Sequence, residues 1–547
     1  MAAPTIRTAL VSSAAALCLM CGASFAASQL APPQYPEGEA VPRSMTPEEQ
    51  RWVADHPIVA PERGATQPPS GHDFRATAEY EPVHGICMAW EGSSFWTAIL
   101  REMAVEITTK GNAFVYIACD TTSEANSVRN SLSSAGADMD KVQTMVRITD
   151  SIWIRDYGPR YMYQGNVRAV VDHTYNRPRP NDNTYNAWFA QQLGHAYYEL
   201  PLVHGGGNYH LNSQYTGFST ELIANENPSL TESEIRQIWL DYQGIDTQIT
   251  DAYPSSIDST QHIDMWLQVI GPQAAVISDW PFNSGSTQDQ VADALAAQLI
   301  GEGWTITRVP ARSISGTHYT YTNVVMCNDI VLVPTYTVGS VTQHNQEALD
   351  AWAAAMPDKT IIPINCQDIV FAAGVMHCIT MHIPAHLGGD NPTAYLETLR
   401  GGETLDPGDS VELRWLTDTA EPGQSLTISI DLSTDGGKTY TTPIASGEAD
   451  DGSFLWSVPD IGTSQARVRV TAVNGNFLSG SDASVENFTI TGTPLCPGDG
   501  TGDGAVDLAD LNLVLANFGS SGPEGDVDGS GGVDLSDLNL VLANFGC

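Results

Sequence analysis

Between Tyr80 and about Leu399, short and nearly continuous apolar runs alternate with longer stretches whose apolar residues recur at helical spacing. Residues 113–118, 169–171, 275–277, 330–333 and 360–364 predict buried strands, and 94–109, 288–300 and 343–355 predict amphipathic helices. The region is therefore expected to be α/β with a large core. Its polar motifs fall just after strands or in loops, where sites tend to be placed. Upstream, residues 27–75 are rich in Pro, Glu and Gln and show no sustained apolar period, so they read as a leader or linker. One short helix is expected there at 46–55, with Thr46 as cap, Pro47 at the first helical position and acid in the first turn.

From about 400 to 490 the pattern changes to short strands of alternating polarity at 410–415, 426–431, 453–457 and 466–472, divided by turns such as Asp435-Gly436-Gly437. An all-β, immunoglobulin-like sandwich over 401–492 fits this pattern, with Trp415 and Trp456 in its core. The tail, 496–547, holds an internal repeat with a period of 27. Asp499, Thr501, Asp503, Asp507 and Asp510 in the first copy, and Asp526, Asp528, Ser530, Asp534 and Asp537 in the second, occupy loop positions 1, 3, 5, 9 and 12. Gly follows at position 6 in each, which is the EF-hand calcium-loop spacing. Position 12 is Asp where EF-hands have Glu, and one Leu-Asn-Leu-Val-Leu helix follows each loop. The pair resembles a type I dockerin module. That resemblance implies bound Ca²⁺ and a cohesin-type partner. Cys496 and Cys547 bracket the module and are candidates for a disulfide that closes its ends.

Composition narrows the function classes. Acidic residues outnumber basic ones 64 to 24 in a chain of 547, which argues against nucleic-acid binding and against a polybasic membrane patch. Residues 1–26 read as an export signal: Arg7, an apolar stretch over 9–20, then Ser24-Phe25-Ala26 as cleavage site. That stretch is too short to span a bilayer, so the mature protein is expected to be secreted or extracytoplasmic. Its tail would attach it to a surface or assembly. Nine cysteines fall to seven once Cys18 and Cys21 leave with the signal. An odd number leaves at least one free thiol or intermolecular pair, and Cys378 is the candidate.

Cys378 lies in Gly374-Val375-Met376-His377-Cys378. Alone it is a weak signal, since free Cys is usually buried and inert. Four earlier clusters change its meaning if they converge on it: Trp153-Ile154-Arg155-Asp156, Gly205-Gly206-Gly207-Asn208, His262-Ile263-Asp264 and Thr322-Asn323. Two carboxylates match the donor fork of a guanidinium and would hold its central carbon before a thiolate. A His can protonate departing ammonia and then activate water. The net reaction turns a guanidine into a urea and needs no metal or organic cofactor. Taken singly, each residue also has a structural role open to it: Asp156 as an ion partner of Arg155, the glycines as sites of close backbone approach.

These motifs, with Ala78-Glu79-Tyr80-Glu81-Pro82-Val83-His84-Gly85, resemble in order the agmatine deiminase and bacterial peptidylarginine deiminase family over roughly 78–399, within a catalytic region placed at 76–400. The resemblance implies a five-bladed α/β propeller (pentein), with Cys378 as nucleophile and His262 as general acid/base. It further implies that Asp156 and Asp264 hold the guanidinium, that Asn323 assists, and that Trp153 walls the substrate stem. Gly206, Gly207 and Asn208 are expected beside the substrate.

Substrate choice turns on Arg177-Pro178-Arg179. Proline restrains both arginines in an extended segment, so both can aim at one carboxylate. The segment resembles that of the bacterial peptidylarginine deiminase, where the matching arginines grip the α-carboxylate of a C-terminal Arg. Agmatine has no carboxylate. The expectation is a secreted deiminase of peptidyl-arginine in peptides or proteins, C-terminal arginine favoured. Agmatine hydrolysis is the alternative. A Cys-His protease or amidase would need no carboxylate fork, and a non-catalytic, dockerin-borne assembly component would not need the intact set.

Overall fold

The computed structural model describes residues 31–36, 38–60, 66–70, 73–492 and 496–547. The expected export signal lies outside them. Its central feature is one plan used five times. In each case a short strand pairs antiparallel with a second, the chain crosses over through a helix, and a third strand pairs parallel with the second. The five antiparallel pairs are Met381–Pro384 with Val83–Ala89, Arg160–Gln164 with Val167–Tyr175, His210–Leu211 with Thr216–Thr220, Leu267–Gly271 with Ala274–Asp279, and Val325–Cys327 with Ile330–Thr335. Their parallel partners are Phe114–Cys119, Ala196–His204, Asp246–Thr250, Thr305–Pro310 and Thr360–Asn365. The crossover helices include Ser94–Thr109, Tyr185–Leu193, Glu232–Gln243, Thr287–Gly301 and Asn345–Ala355. Parallel neighbours need such crossovers, and a helix over each sheet explains why the central strands are buried on both faces. In the first sheet the outer antiparallel strand comes from the far end of the domain, so Met381–Pro384 ties the last segment to the first.

This mixed α/β region accounts for the expected strands and helices. The helix expected in the leader is present as Pro47–Asp55. Thr46 accepts from the Glu49 amide, and the Glu49 carboxylate accepts from the Thr46 amide, a reciprocal capping box.

Beyond it lies a β region with its own core, which includes Trp415, Trp456, Ile428, Ile430, Leu432, Val468 and Val470. Three strands (Thr393–Leu396, Ser410–Asp418, Ser453–Ser457) form one sheet, and Gly462–Asn474 organises a larger one. Thr393–Leu396, expected within the first domain, instead pairs antiparallel with the 415–418 end of Ser410–Asp418. The second unit thus begins before 400. A buried ion pair joins the two: Arg168 Nε and Nη2 donate to the Asp418 carboxylate at 2.7 and 3.0 Å, and His386 lies 3.2 Å from it. In the tail, helices Leu508–Asn517 and Leu535–Ala543 pack around Val506, Val514, Val533 and Val541, and Cys496 and Cys547 are disulfide-bonded. Cys87, Cys119, Cys327, Cys366 and Cys378 are all free and buried.

Among the described residues no helix is long and apolar enough to cross a membrane.

Candidate active site

The five polar clusters occupy equivalent places in the five sheets. Each lies in the turn that leads into a sheet's first, antiparallel strand. The short helix Ile154–Tyr157 precedes Arg160–Gln164, the 3-10 turn Gly206–Asn208 precedes His210–Leu211, and Ile263–Met265 precedes Leu267–Gly271. Asn323 precedes Val325–Cys327, and the turn His377–Ile379 precedes Met381–Pro384. One plan repeated five times therefore delivers five turns to a common centre.

At that centre lies a guanidinium, and the chain itself supplies it. Arg43, from the leader, is wholly buried. Its Nε and Nη2 donate to the two oxygens of Asp156 at 2.8 and 2.7 Å, a bidentate fork. Nη1 and Nη2 donate to the two oxygens of Asp264 at 3.1 and 2.9 Å. Nη1 lies 2.7 Å from Cys378 Sγ, and Nη2 lies 2.8 Å from His262 Nδ1. Asp156, Asp264, His262 and Cys378 thus converge on one planar cation.

Around them the structure separates the expected residues by what they touch. Asn323 Oδ1 lies 3.3 Å from Cys378 Sγ and accepts from the His377 amide, while its Nδ2 donates to the Asp264 carbonyl. It fastens the thiol's turn to the carboxylate's. Gly207 lines the pocket: a Cβ there would stand 1.9 Å from Arg43 Nη2. Gly206 and Asn208, expected beside the substrate, lie behind it. A Cβ on Gly206 would meet the Arg155 carbonyl oxygen at 2.4 Å, and Asn208 Oδ1 accepts from Ile263 and Thr220. Their place is set by backbone crowding and by bracing of the His262–Asp264 turn. Trp153 is buried edge-on to Trp96. Its Nε1 donates to the Val41 carbonyl at 2.7 Å, so it touches the leader's backbone. Arg177 and Arg179 diverge onto two groups. Arg177 Nε donates to the Arg43 carbonyl at 3.2 Å, whereas Arg179 pairs with the buried Glu49 carboxylate at 2.7 Å and with the Pro42 carbonyl at 2.8 Å.

Arg43, Glu79 and His377 were missed as site residues. Glu79 lies in the motif at 78–85, yet nothing in it marks the acid as buried. Its carboxylate meets Arg155 at 2.6 Å and His377 Nε2 at 2.8 Å, and His377 Nδ1 lies 3.0 Å from Asp264. The run Glu79–His377–Asp264 fixes one carboxylate of the fork. Glu79, His210 and His377 also converge as ligand types, but the Arg155 cation already neutralises Glu79. In the tail, Asp526, Asp528 and Asp537 bring ligand oxygens within 4.8 Å of one another.

Electrostatics follow from burial and the one cation. Burial raises the Asp156 and Asp264 carboxyls, but Arg43, together with His262 at Asp156 and His377 at Asp264, pulls both below the usual range. Burial pushes the Cys378 thiol well above its ordinary value, Asp264 and Asp156 push it the same way, and Arg43 opposes them. A thiolate here depends on a guanidinium beside it.

A model of the Porphyromonas-type peptidyl-arginine deiminase family matches residues 75–384, more than half of the chain. The chain belongs to this family. It is a guanidino-group deiminase, a hydrolase acting on amidines. A protein of Photobacterium profundum provisionally named agmatine deiminase is 24% identical over 372 residues, which cover 58% of this chain and 97% of the relative. One of Vibrio parahaemolyticus, similarly named, is 25% identical over 367 residues, 58% of this chain and 98% of the relative. The solved agmatine deiminase of Enterococcus faecalis shares the fold, with a TM-score of 0.52 and 19% identity over 60% of this chain and all of the other. These matches cover the deiminase region and leave the β region and tail to be read on their own.

Proposed function

We propose that this deiminase hydrolyses the guanidinium of peptidyl-arginine to the ureido group of citrulline, with release of ammonia. The observation that carries this is an arginine bound as part of a peptide. The backbone of 41–43 is held by Trp153 and Arg179 on the carbonyls of Val41 and Pro42, by the Ala372 carbonyl on the Arg43 amide, and by Arg177 on the Arg43 carbonyl. Agmatine offers none of these groups. A C-terminal arginine would set a carboxylate oxygen where the Arg43 carbonyl oxygen lies, beside Arg177. Arg179, buried and paired with Glu49, would need another anion once the leader withdrew. Both features favour C-terminal arginine. Agmatine is the second reading, supported by the relatives' names.

In the proposed mechanism the guanidinium lowers the thiol's cost of ionisation, the Cys378 proton passes to His262, and Sγ attacks the central carbon. His262, beside Nη2, gives that nitrogen a proton, and ammonia leaves as the thiouronium forms. Water, activated by His262, then attacks the same carbon, the C–S bond breaks, and Cys378 regains its electron pair. Asp156 and Asp264 keep the carbon placed throughout. Only protein groups and water take part.

Further readings rest on the sequence. The five sheets are taken as blades of a propeller closed by Met381–Pro384, the β region as immunoglobulin-like, and the protein as secreted. The tail is taken as a dockerin-like pair that binds Ca²⁺ through its two loops and a cohesin-type partner through the repeats. The oxygens of Asp526, Asp528 and Asp537 suit a hard cation.

The test is citrulline production from a peptide ending in Arg, the same peptide with Arg internal, and agmatine, with Cys378→Ala as control. Turnover of the peptides above agmatine is expected. Turnover of agmatine alone would overturn the substrate assignment, and no turnover of any of the three would overturn the mechanism.

A further inference from the structure

The segment that fills the pocket is the enzyme's own. Arg43 makes every contact the proposed reaction requires: both carboxylates, the thiol sulfur and the His262 nitrogen. It is not a loose end that has strayed inward. The neighbouring backbone makes four hydrogen bonds to the deiminase region, and six residues on, Glu49 pairs with Arg179. The capped helix Pro47–Asp55 holds Glu49 in place. While this segment is docked, the pocket is closed to any other guanidine.

We propose that Arg43 is a modification site of this enzyme: its own first substrate, converted to citrulline within the same chain, after which the leader gives up the pocket. The inference rests on the deiminase reading above. The step balances as that reaction does. Cys378 Sγ bonds to the Arg43 central carbon as its proton passes to His262, one nitrogen leaves as ammonia carrying that proton, and water supplies the ureido oxygen as the C–S bond breaks. Thiol and imidazole return to their starting states, so water is the sole co-reactant.

Conversion also explains release. Asp156 and Asp264 are buried and face one cation, Arg43, across a four-donor fork. Citrulline is neutral and replaces an NH₂ donor by a carbonyl oxygen, an acceptor turned toward acceptors. The two carboxylates lose their counter-charge, and a buried anion without one is strongly unfavourable. The product state therefore favours withdrawal of 41–43 and entry of another guanidinium.

The experiment is peptide mass mapping of the full chain, read at residue 43, with Cys378→Ser beside it. Turnover of an added arginine peptide is followed from the first seconds after refolding. Citrulline at 43 in the wild type, arginine at 43 in Cys378→Ser, and a conversion half-time independent of protein concentration are expected. So is a lag in peptide turnover that Arg43→Ala abolishes. Arginine retained at 43 in a protein that converts added peptide would overturn self-modification and leave the deiminase reading standing. Arginine retained with no turnover of peptide or agmatine by wild type or Arg43→Ala would overturn both. A half-time that shortens with protein concentration would overturn the intramolecular step.

Discussion

Replacing Gly207 by Ala would set a methyl group inside the guanidinium's place while leaving the main chain comfortable. Gly207 does not lie in the left-handed region, so the backbone tolerates a Cβ. That Cβ would stand 1.9 Å from Arg43 Nη2, 2.7 Å from Asp156 Oδ1 and 2.8 Å from Asp264 Oδ2. The nitrogen cannot remain there, so its bonds to both carboxylates are lost. Hydrogen bonds to charged groups contribute about 1.5–3 kcal/mol each, so two give about 3–6 kcal/mol. At about 1.4 kcal/mol per tenfold, kcat/KM should fall by roughly 10²–10⁴. The assay is citrulline formation from an arginine peptide, run beside denaturant unfolding of the same protein. Activity should collapse while the unfolding midpoint of the deiminase region moves little. Gly206→Ala supplies the contrast: its Cβ would meet the Arg155 carbonyl at 2.4 Å, a backbone atom that cannot step aside, so that variant should lose stability. If Gly207→Ala kept kcat/KM within about threefold of wild type, the guanidinium would not sit between Asp156 and Asp264, and the site as described would be wrong.

Asp418→Asn should destabilise the junction between the deiminase and β regions by about 3–5 kcal/mol, the range for breaking a buried ion pair, read by urea unfolding at neutral pH. Burial raises the Asp418 carboxyl, but Arg168 and the His386 and His195 rings hold it below the usual range. A depressed carboxyl contributes stability that is fully present above its unfolded value of about 3.9 and is lost as pH falls below that toward the folded value. Wild type and Asp418→Asn should therefore converge in stability as pH drops below about 4; a gap that persists there would refute the assignment. Chelation should lower the unfolding temperature of the tail and leave citrulline formation by the deiminase region unchanged; loss of activity would mean a metal serves the pocket.

Much of this was legible because it is local. Thr46, Pro47 and Glu49 mark a helix start by themselves, and the structure forms that capping box. The apolar runs at 330–333 and 360–364 become a parallel pair, the first buried throughout at the centre of its sheet and the second buried at alternate residues on the edge. Cys378, His262, Asp156, Asp264 and Asn323 were legible as a set, from residue chemistry and order together. What failed depended on distance. Glu49 reads as a capping acid, and nothing nearby says that its carboxylate also meets Arg179, 130 residues away. Arg43 stands in a segment without apolar period, and its burial depends wholly on partners between 113 and 335 residues further on. The proline-restrained Arg177 and Arg179 were expected on one anion, but local stiffness fixes where they point and not what meets them.

The repeat in the deiminase region was expected only through the resemblance to the family and not from the residues themselves, and the reason bears on how such a site persists at low identity. Five turns enter five first strands at the same step of one plan, yet share no common pattern: Asp156 follows Arg155, Asn208 follows glycines, Asp264 follows Ile263, Asn323 follows Thr322 and Cys378 follows His377. The plan asks only for apolar strands and a covering helix, which many sequences satisfy. The chemistry asks for one or two side chains per turn. A chain can therefore drift through most of its core and keep its fold, as the likeness at 19% identity shows. By the same logic the centre selects for charge and shape alone. Two buried carboxylates about a glycine-floored slot will take any guanidinium whose backbone suits Trp153, Ala372 and Arg177, and Arg43 suits all three. The pocket and the leader are thus coupled through two sets of contacts at once, the carboxylates on the guanidinium and Trp153, Ala372 and Arg177 on the backbone that carries it.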